Sequence, residues 1–85
     1  MTLQEQFTAA QERVKTLTRR PSNDELLSLY ALYKQGSGGD VTGKRPGLFD
    51  LKGRAKFDAW QKVQGVTADA AMQRYVALVD KLMAG

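Results

Sequence analysis

Tyr30, Tyr33 and Lys34 stand three and four positions apart, the spacing that places side chains on one face of a helix. Lys52, Lys56 and Trp60 repeat the arrangement further along, each one helical turn from the next. Two helical faces thus carry aromatic rings beside fixed positive charge. Such faces suit recognition rather than bond-making: a ring plane for a flat heterocycle, and ammonium groups for several phosphates. The chain has no His and no Cys, which removes the usual general base, the thiolate nucleophile and the commonest zinc ligands. Asp40, Asp50 and Asp58 form no evident carboxylate pair. No catalytic residue and no metal-ligating set is assigned.

The net charge of +4 is unevenly placed. Residues 34–62 hold seven basic side chains against three acidic ones, and the rest of the chain holds six of each. A field concentrated in the middle third favours an anionic partner. Within that third, Gly38-Gly39-Asp40-Val41-Thr42-Gly43-Lys44-Arg45 spells most of a phosphate-binding GxxxxGK loop. The motif fails in its context: Arg45 replaces the magnesium-binding Ser or Thr, no strand precedes it, and Pro46-Gly47 follows where a helix should begin.

Four helices must position these residues. Leu3, Phe7, Ala10, Val14 and Leu17 make one apolar stripe on a first amphipathic helix, expected to end at Arg19-Arg20-Pro21, where proline breaks the ladder. Ser22 and Glu25 form a capping box for a second helix. Its apolar set, Leu26, Leu27, Leu29, Tyr30, Leu32 and Tyr33, is wide enough to pack on more than one neighbour. Residues 36–47 contain five glycines and no period, and read as a loop. Asp50 caps a third helix over about 51–63, stopped by Gly65, and Thr67 caps a fourth carrying Ala71, Met72, Tyr75, Val79 and Leu82. No alternating run signals a strand. The chain therefore reads as a single all-α domain over residues 1–85, a four-helix bundle whose long second loop would let helices two and three run parallel. No apolar run has the length of a signal peptide or a membrane span, so the expected location is cytoplasmic.

Each of these residues also has an ordinary structural use. A tyrosine at helical spacing is most often core or rim. Trp60 and Phe57 taken alone read as core anchors, and Lys52 and Lys56 as a solvated face. Arg13 and Lys62 read as solvated with no further role. Only the joint occurrence of rings and cations in two helices favours binding.

The runs Tyr30-Ala31-Leu32-Tyr33-Lys34-Gln35, Gly39-Asp40, Arg45-Pro46-Gly47 and Lys52-Gly53-Arg54-Ala55-Lys56-Phe57-Asp58-Ala59-Trp60 resemble the acyl-CoA-binding protein family. The resemblance extends over essentially the whole chain, including Phe7, Leu17, Pro21, Gly65, Ala71-Met72 and Tyr75. It implies a four-helix bundle in up-down-down-up order that binds medium- to long-chain acyl-CoA esters non-covalently, as a carrier and buffer and not an enzyme. It implies Tyr33 for adenine stacking and Lys34 and Lys56 for the ribose 3′-phosphate. Tyr30 falls at the head-group and acyl boundary, and Tyr75 closes the site from the last helix. Lys15 and Lys52 match further ligand contacts, and Ala31 and Leu32 lie within the binding run. The resemblance departs at Phe57, where many members have a second tryptophan, at Arg54, where lysine is common, and in the looser Gly36-Ser37-Gly38. No cofactor is implied beyond the acyl-CoA ligand, and a monomer is expected. No stable membrane insertion is expected, and contact with membranes or with acyl-CoA-using enzymes would be transient. The alternative from the residues alone is a small basic helical module that binds nucleic acid or a protein partner.

Overall fold

A computed structural model describes residues 1–85 as four α-helices: α1 Leu3–Val14, α2 Asn23–Gly38, α3 Leu51–Lys62 and α4 Ala68–Ala84. Each begins on a side-chain cap. Thr2 and Glu5, and again Ser22 and Glu25, form reciprocal capping boxes, while Asp50 and Thr67 accept from the backbone N–H groups of Gly53 and Ala70. These caps satisfy amide donors that a helix start leaves without partners.

Two helix ends differ from the sequence expectation. α1 stops at Val14, well before Pro21. Lys15, Thr16 and Leu17 turn instead through tighter bonds to the carbonyls three residues back, and the Thr16 hydroxyl donates to the Arg13 carbonyl at 2.7 Å. A threonine that competes for backbone acceptors helps to end a helix before proline can. Leu17 still packs on the core, from the turn rather than from the helical stripe. The second difference is at the other end of α2, which runs on through Gly36, Ser37 and Gly38. Gly36 is buried where α2 approaches α1 and α4: an added Cβ would lie 3.2 Å from Met72 Cγ and 3.2 Å from Phe7 Cζ. Its lack of a side chain serves close packing, not a break. The helix is capped three residues after Gly36, at Gly39, whose φ of 80° suits glycine.

The core is Phe7 and Ala10 from α1, Leu29 and Leu32 from α2, and Ala71, Tyr75, Val79 and Leu82 from α4. α3 buries no residue fully and packs only on α2. Trp60 and Phe57 are therefore half-buried on that flank and are not core anchors. Contacts between α2 and α3 climb together along both helices. Leu27 and Ala55 line the same hollows, Lys56 lies by Tyr30, and Lys34 and Gln35 meet Trp60. These two helices are parallel. α1 and α4 are parallel by the same test, Phe7 meeting Tyr75 and Arg13 meeting Asp80. α2 and α4 are antiparallel, since Gly36 abuts Met72 while Glu25 feels the charge of Lys81. The order is up-down-down-up, as the resemblance implies. No helix is long and apolar enough to cross a membrane.

Candidate functional site

α3 leans on α2 without reaching α4, and the parallel pair leaves a groove at its N-terminal end. Arg20, Asn23, Leu26, Leu27, Leu51, Lys52, Ala55 and Lys56 line a hollow of about 380 Å³ there. Its floor is leucine and alanine and its margin is basic. The hollow joins the two faces singled out by spacing, because Lys56 Nζ stands 5.4 Å from the centroid of the Tyr30 ring. One turn further along, Lys34 Nζ stands 4.9 Å from the centroid of Trp60. An ammonium over a ring face is attracted by its quadrupole. Lys34, Lys52 and Lys56 have no carboxylate partner; the ion pairs are Arg13–Asp80, Lys15–Glu12 and Arg45–Asp58. Two uncompensated lysines, Lys52 and Lys56, thus border the apolar groove, and a third, Lys34, stands one turn beyond it over Trp60.

The tyrosines are held by a second aromatic cluster. Tyr33 stacks on Phe7 with centroids 6.2 Å apart, and Phe7 meets Tyr75 edge-on at 5.1 Å. Tyr33 remains 40% exposed, whereas Tyr75 is 5% exposed. One ring is presented to solvent, and the other is buried against Phe7, the ring on which the first stacks. Burial raises the Tyr75 phenol above its ordinary value, with a smaller contribution from Tyr33.

Other expected residues lie elsewhere. Ala31 and Leu32 are buried. They line a second hollow of about 740 Å³ with Asp58, Lys62 and Arg74, not the groove of Lys52 and Lys56. Lys15 is exposed just past the end of α1, 3.4 Å from Glu12. Lys62 and Arg13 are not merely solvated: Lys62 lines the second hollow, and Arg13 donates to Asp80 at 2.7 Å.

Two supporting devices escape a reading by pattern. Gln35 is 1% exposed and ties three segments together. Its amide donates to Asp40 at 2.8 Å and to the Val66 carbonyl at 2.7 Å, and its carbonyl accepts from the Trp60 indole at 3.1 Å. The same indole donates to the Gly39 carbonyl at 2.8 Å, and Asp40 accepts from the Gly65 N–H at 2.8 Å. The Gly65 N–H, with Gln35, holds the Asp40 carboxyl below its ordinary range. This knot fixes the Trp60 ring beneath Lys34. A glutamine inside an apolar helical face was the available signal. The second device is Arg45, which binds Asp58 through two bonds of 2.9 and 2.7 Å and pins the loop to α3. That pairing draws the Asp58 carboxyl below its ordinary range.

The arrangement can offer an exposed ring, three free ammonium groups and an apolar trough to one elongated ligand. No group of three or more His, Cys, Asp or Glu side chains is placed to hold a metal. Comparison with known proteins gives the same chemistry a context. A family model described as acyl CoA binding protein matches residues 4–79. An acyl-CoA-binding protein homolog of Drosophila melanogaster is 56% identical over 80 residues, spanning 94% of this chain and 93% of the relative. Acyl-CoA-binding protein homolog 1 of Caenorhabditis elegans is 56% identical over 78 residues, spanning 92% and 91%. The crystal structure of Oryza sativa acyl-CoA-binding protein 2 superposes with a TM-score of 0.93 at 46% identity, covering 96% of this chain and 89% of that one.

Proposed function

The chain belongs to the acyl-CoA-binding protein family, and from that premise we propose that it binds acyl-CoA esters non-covalently through the groove between α2 and α3 and carries them as a soluble, monomeric cytoplasmic buffer. The observation that carries this reading is the pair of unpaired lysines, Lys52 and Lys56, on the margin of an apolar hollow, with Lys56 against the Tyr30 ring and the unpaired Lys34 one turn further along over Trp60. With neither His nor Cys, the chain offers no nucleophile with a base, and the reading is binding rather than catalysis. The family assignment displaces the alternative of a nucleic-acid or protein-interaction module.

In this proposal Tyr33 supplies the ring face for adenine, and Lys34 and Lys56 meet the 3′-phosphate as point charges. Stacking of a base on an aromatic ring contributes about 1–3 kcal/mol where it has been measured in nucleic-acid complexes. Lys52 lies on the same groove margin, and Lys15 would exchange Glu12 for ligand, a cheap step because an exposed pair contributes little. Tyr30 sits between head group and acyl chain. Tyr75 acts by supporting Phe7, on which the adenine platform Tyr33 rests. Ala31 and Leu32 hold α2 in the core so that the neighbouring rings face the groove. Leu26, Leu27 and Leu51 receive the acyl chain, where each buried CH₂ contributes about 0.8 kcal/mol, roughly fourfold in affinity.

Calorimetric titration with palmitoyl-CoA, palmitate and coenzyme A tests this division. The ester should bind far more tightly than either part. Palmitate binding as tightly as palmitoyl-CoA would refute the role given to the cations.

A further inference from the structure

The three lysines without a carboxylate partner are not held alike. Lys52 and Lys56 are exposed, whereas Lys34 is half-buried. Its Nζ also stands closer to its ring, 4.9 Å from the Trp60 centroid against 5.4 Å for Lys56 and Tyr30, and tryptophan is the stronger partner for a cation. The Trp60 ring is itself tied down. α3 buries no residue fully, so packing alone does not fix the indole; hydrogen bonds do. Its N–H is shared between the Gly39 carbonyl at 2.8 Å and the Gln35 side-chain carbonyl at 3.1 Å. Both acceptors lie at the end of α2 that carries Lys34. Gln35 is held in turn by Asp40 and by the Val66 carbonyl, and no buried side-chain polar atom in the fold lacks a partner. Three segments of the chain therefore determine where this one ring face lies.

A lysine side chain is long and mobile, and ordering it at a binding site costs rotamer entropy. A ring fixed beforehand removes part of that cost, because the ammonium already has a place to rest. The ring takes one side of the ammonium, and its remaining N–H donors stay free for phosphate oxygens. We propose that Trp60 is a positioning residue: locked by Gln35 and Gly39, it keeps Lys34 Nζ over its ring before ligand arrives, and so sharpens the preference for a ligand carrying the phosphate that Lys34 meets. The indole acts through Lys34 and does not touch the ligand. Lys52 and Lys56 lack such a strut and close on the ligand as mobile charges. The strut stands on the geometry; its use in selectivity rests on the acyl-CoA reading, in which Lys34 meets the 3′-phosphate.

Two measurements test this. In ligand-free protein, the ring current of the indole should move the NMR resonances of the Lys34 ε-methylene protons upfield of those of Lys52, and Trp60→Leu should abolish the difference. Palmitoyl-CoA and its 3′-dephospho analogue are then titrated by calorimetry into wild type, Trp60→Leu, Trp60→Phe, Lys34→Met and the double variant of Trp60→Leu with Lys34→Met. The ratio of the two affinities should fall about two- to fivefold in Trp60→Leu and less in Trp60→Phe, which keeps a ring face without its tether. Adding Trp60→Leu to Lys34→Met should lower the ratio no further. If Trp60→Leu lacks the helical circular dichroism of wild type, Trp60→Phe decides in its place, by a ratio below that of wild type or equal to it. Equal losses for both esters in Trp60→Leu would overturn the proposal, since a merely structural residue acts in that way. So would unshifted Lys34 resonances in free wild type, or a full effect of Trp60→Leu in the Lys34→Met background. A ratio that Lys34→Met leaves unchanged would refute the phosphate role of Lys34 and the selectivity with it, and failure of palmitoyl-CoA to bind wild type would refute the carrier reading; in both cases the upfield Lys34 resonances would still report the strut.

Discussion

Lys56 shows what a single residue contributes. It is exposed, lacks a carboxylate partner and stands against the Tyr30 ring. In the free protein its charge stabilises nothing by ion pairing, so Lys56→Ala should leave the unfolding midpoint nearly unchanged. In the complex the same ammonium would be partly desolvated against phosphate, and its loss should weaken palmitoyl-CoA binding by about 2 kcal/mol, roughly thirtyfold. Calorimetry and urea unfolding of one variant separate these effects; unchanged affinity would remove Lys56 from the site. The candidate was legible because cations and rings at helical spacing can be counted from the chain. Its support was not. Gln35 lies in the quoted motif, yet nothing local shows that its amide reaches Val66, thirty-one residues on, or that its carbonyl holds Trp60. Hydrogen bonds across such separations depend on how helices pack, which periodicity does not encode. For the same reason Trp60 reads as core from its type alone and is a half-buried strut in the fold.

At the scale of elements, the starts of three helices were readable and two of the ends were not. Ser22, Asp50 and Thr67 are local signals, and each caps as its chemistry requires. Gly36-Ser37-Gly38 reads as loop because glycine is a poor helix former, but the penalty, about 1 kcal/mol for each glycine, is small beside the close approach of α2 to α1 and α4 that Gly36 permits. Tertiary packing overrides propensity there. The Gly53 of α3 has another cause: a Cβ at that position would collide with the Asp50 carboxylate that caps the helix. Gly36 gives the sharper test. Its added Cβ would stand 3.2 Å from both Met72 Cγ and the ring of Phe7, which is itself packed between Tyr33 and Tyr75. Gly36→Val should force these side chains apart and cost about 1–3 kcal/mol, read as a lowered urea midpoint with an unchanged slope. Because Phe7 supports Tyr33, the same variant should also weaken coenzyme A binding. Full stability with full affinity would show that α2 and α4 have room to spare.

Across the whole molecule, the carboxylates held below their ordinary range are Glu5, Glu25, Asp40 and Asp58, and each sits at a junction. Glu5 and Glu25 close the capping boxes, Asp58 holds the loop through Arg45, and Asp40 joins the start of that loop to the turn before α4. A carboxyl with a lower pKa folded than unfolded adds stability that is complete above the unfolded value, about 4. That stability is lost as pH falls through the folded value, because the unfolded chain takes up the proton first. The acid limb of the stability curve should therefore begin near pH 4 and report the junctions rather than the core. Asp40→Asn isolates one of them: it keeps an acceptor oxygen for Gly65 and Gln35 but removes the titration. Urea midpoints of wild type and variant should differ most near neutral pH and converge as pH drops below about 4. Asp58→Asn should converge likewise, with one difference. The Arg45–Asp58 pair leaves its side chains 47% and 39% exposed, so salt should shrink its gap from wild type. Asp40 is held by amide donors, with no cation among the causes of its shift, so its gap should survive the same salt. A gap at Asp40 that stays constant from neutral to strongly acid pH would mean that its bonds to Gly65 and Gln35 owe nothing to its charge.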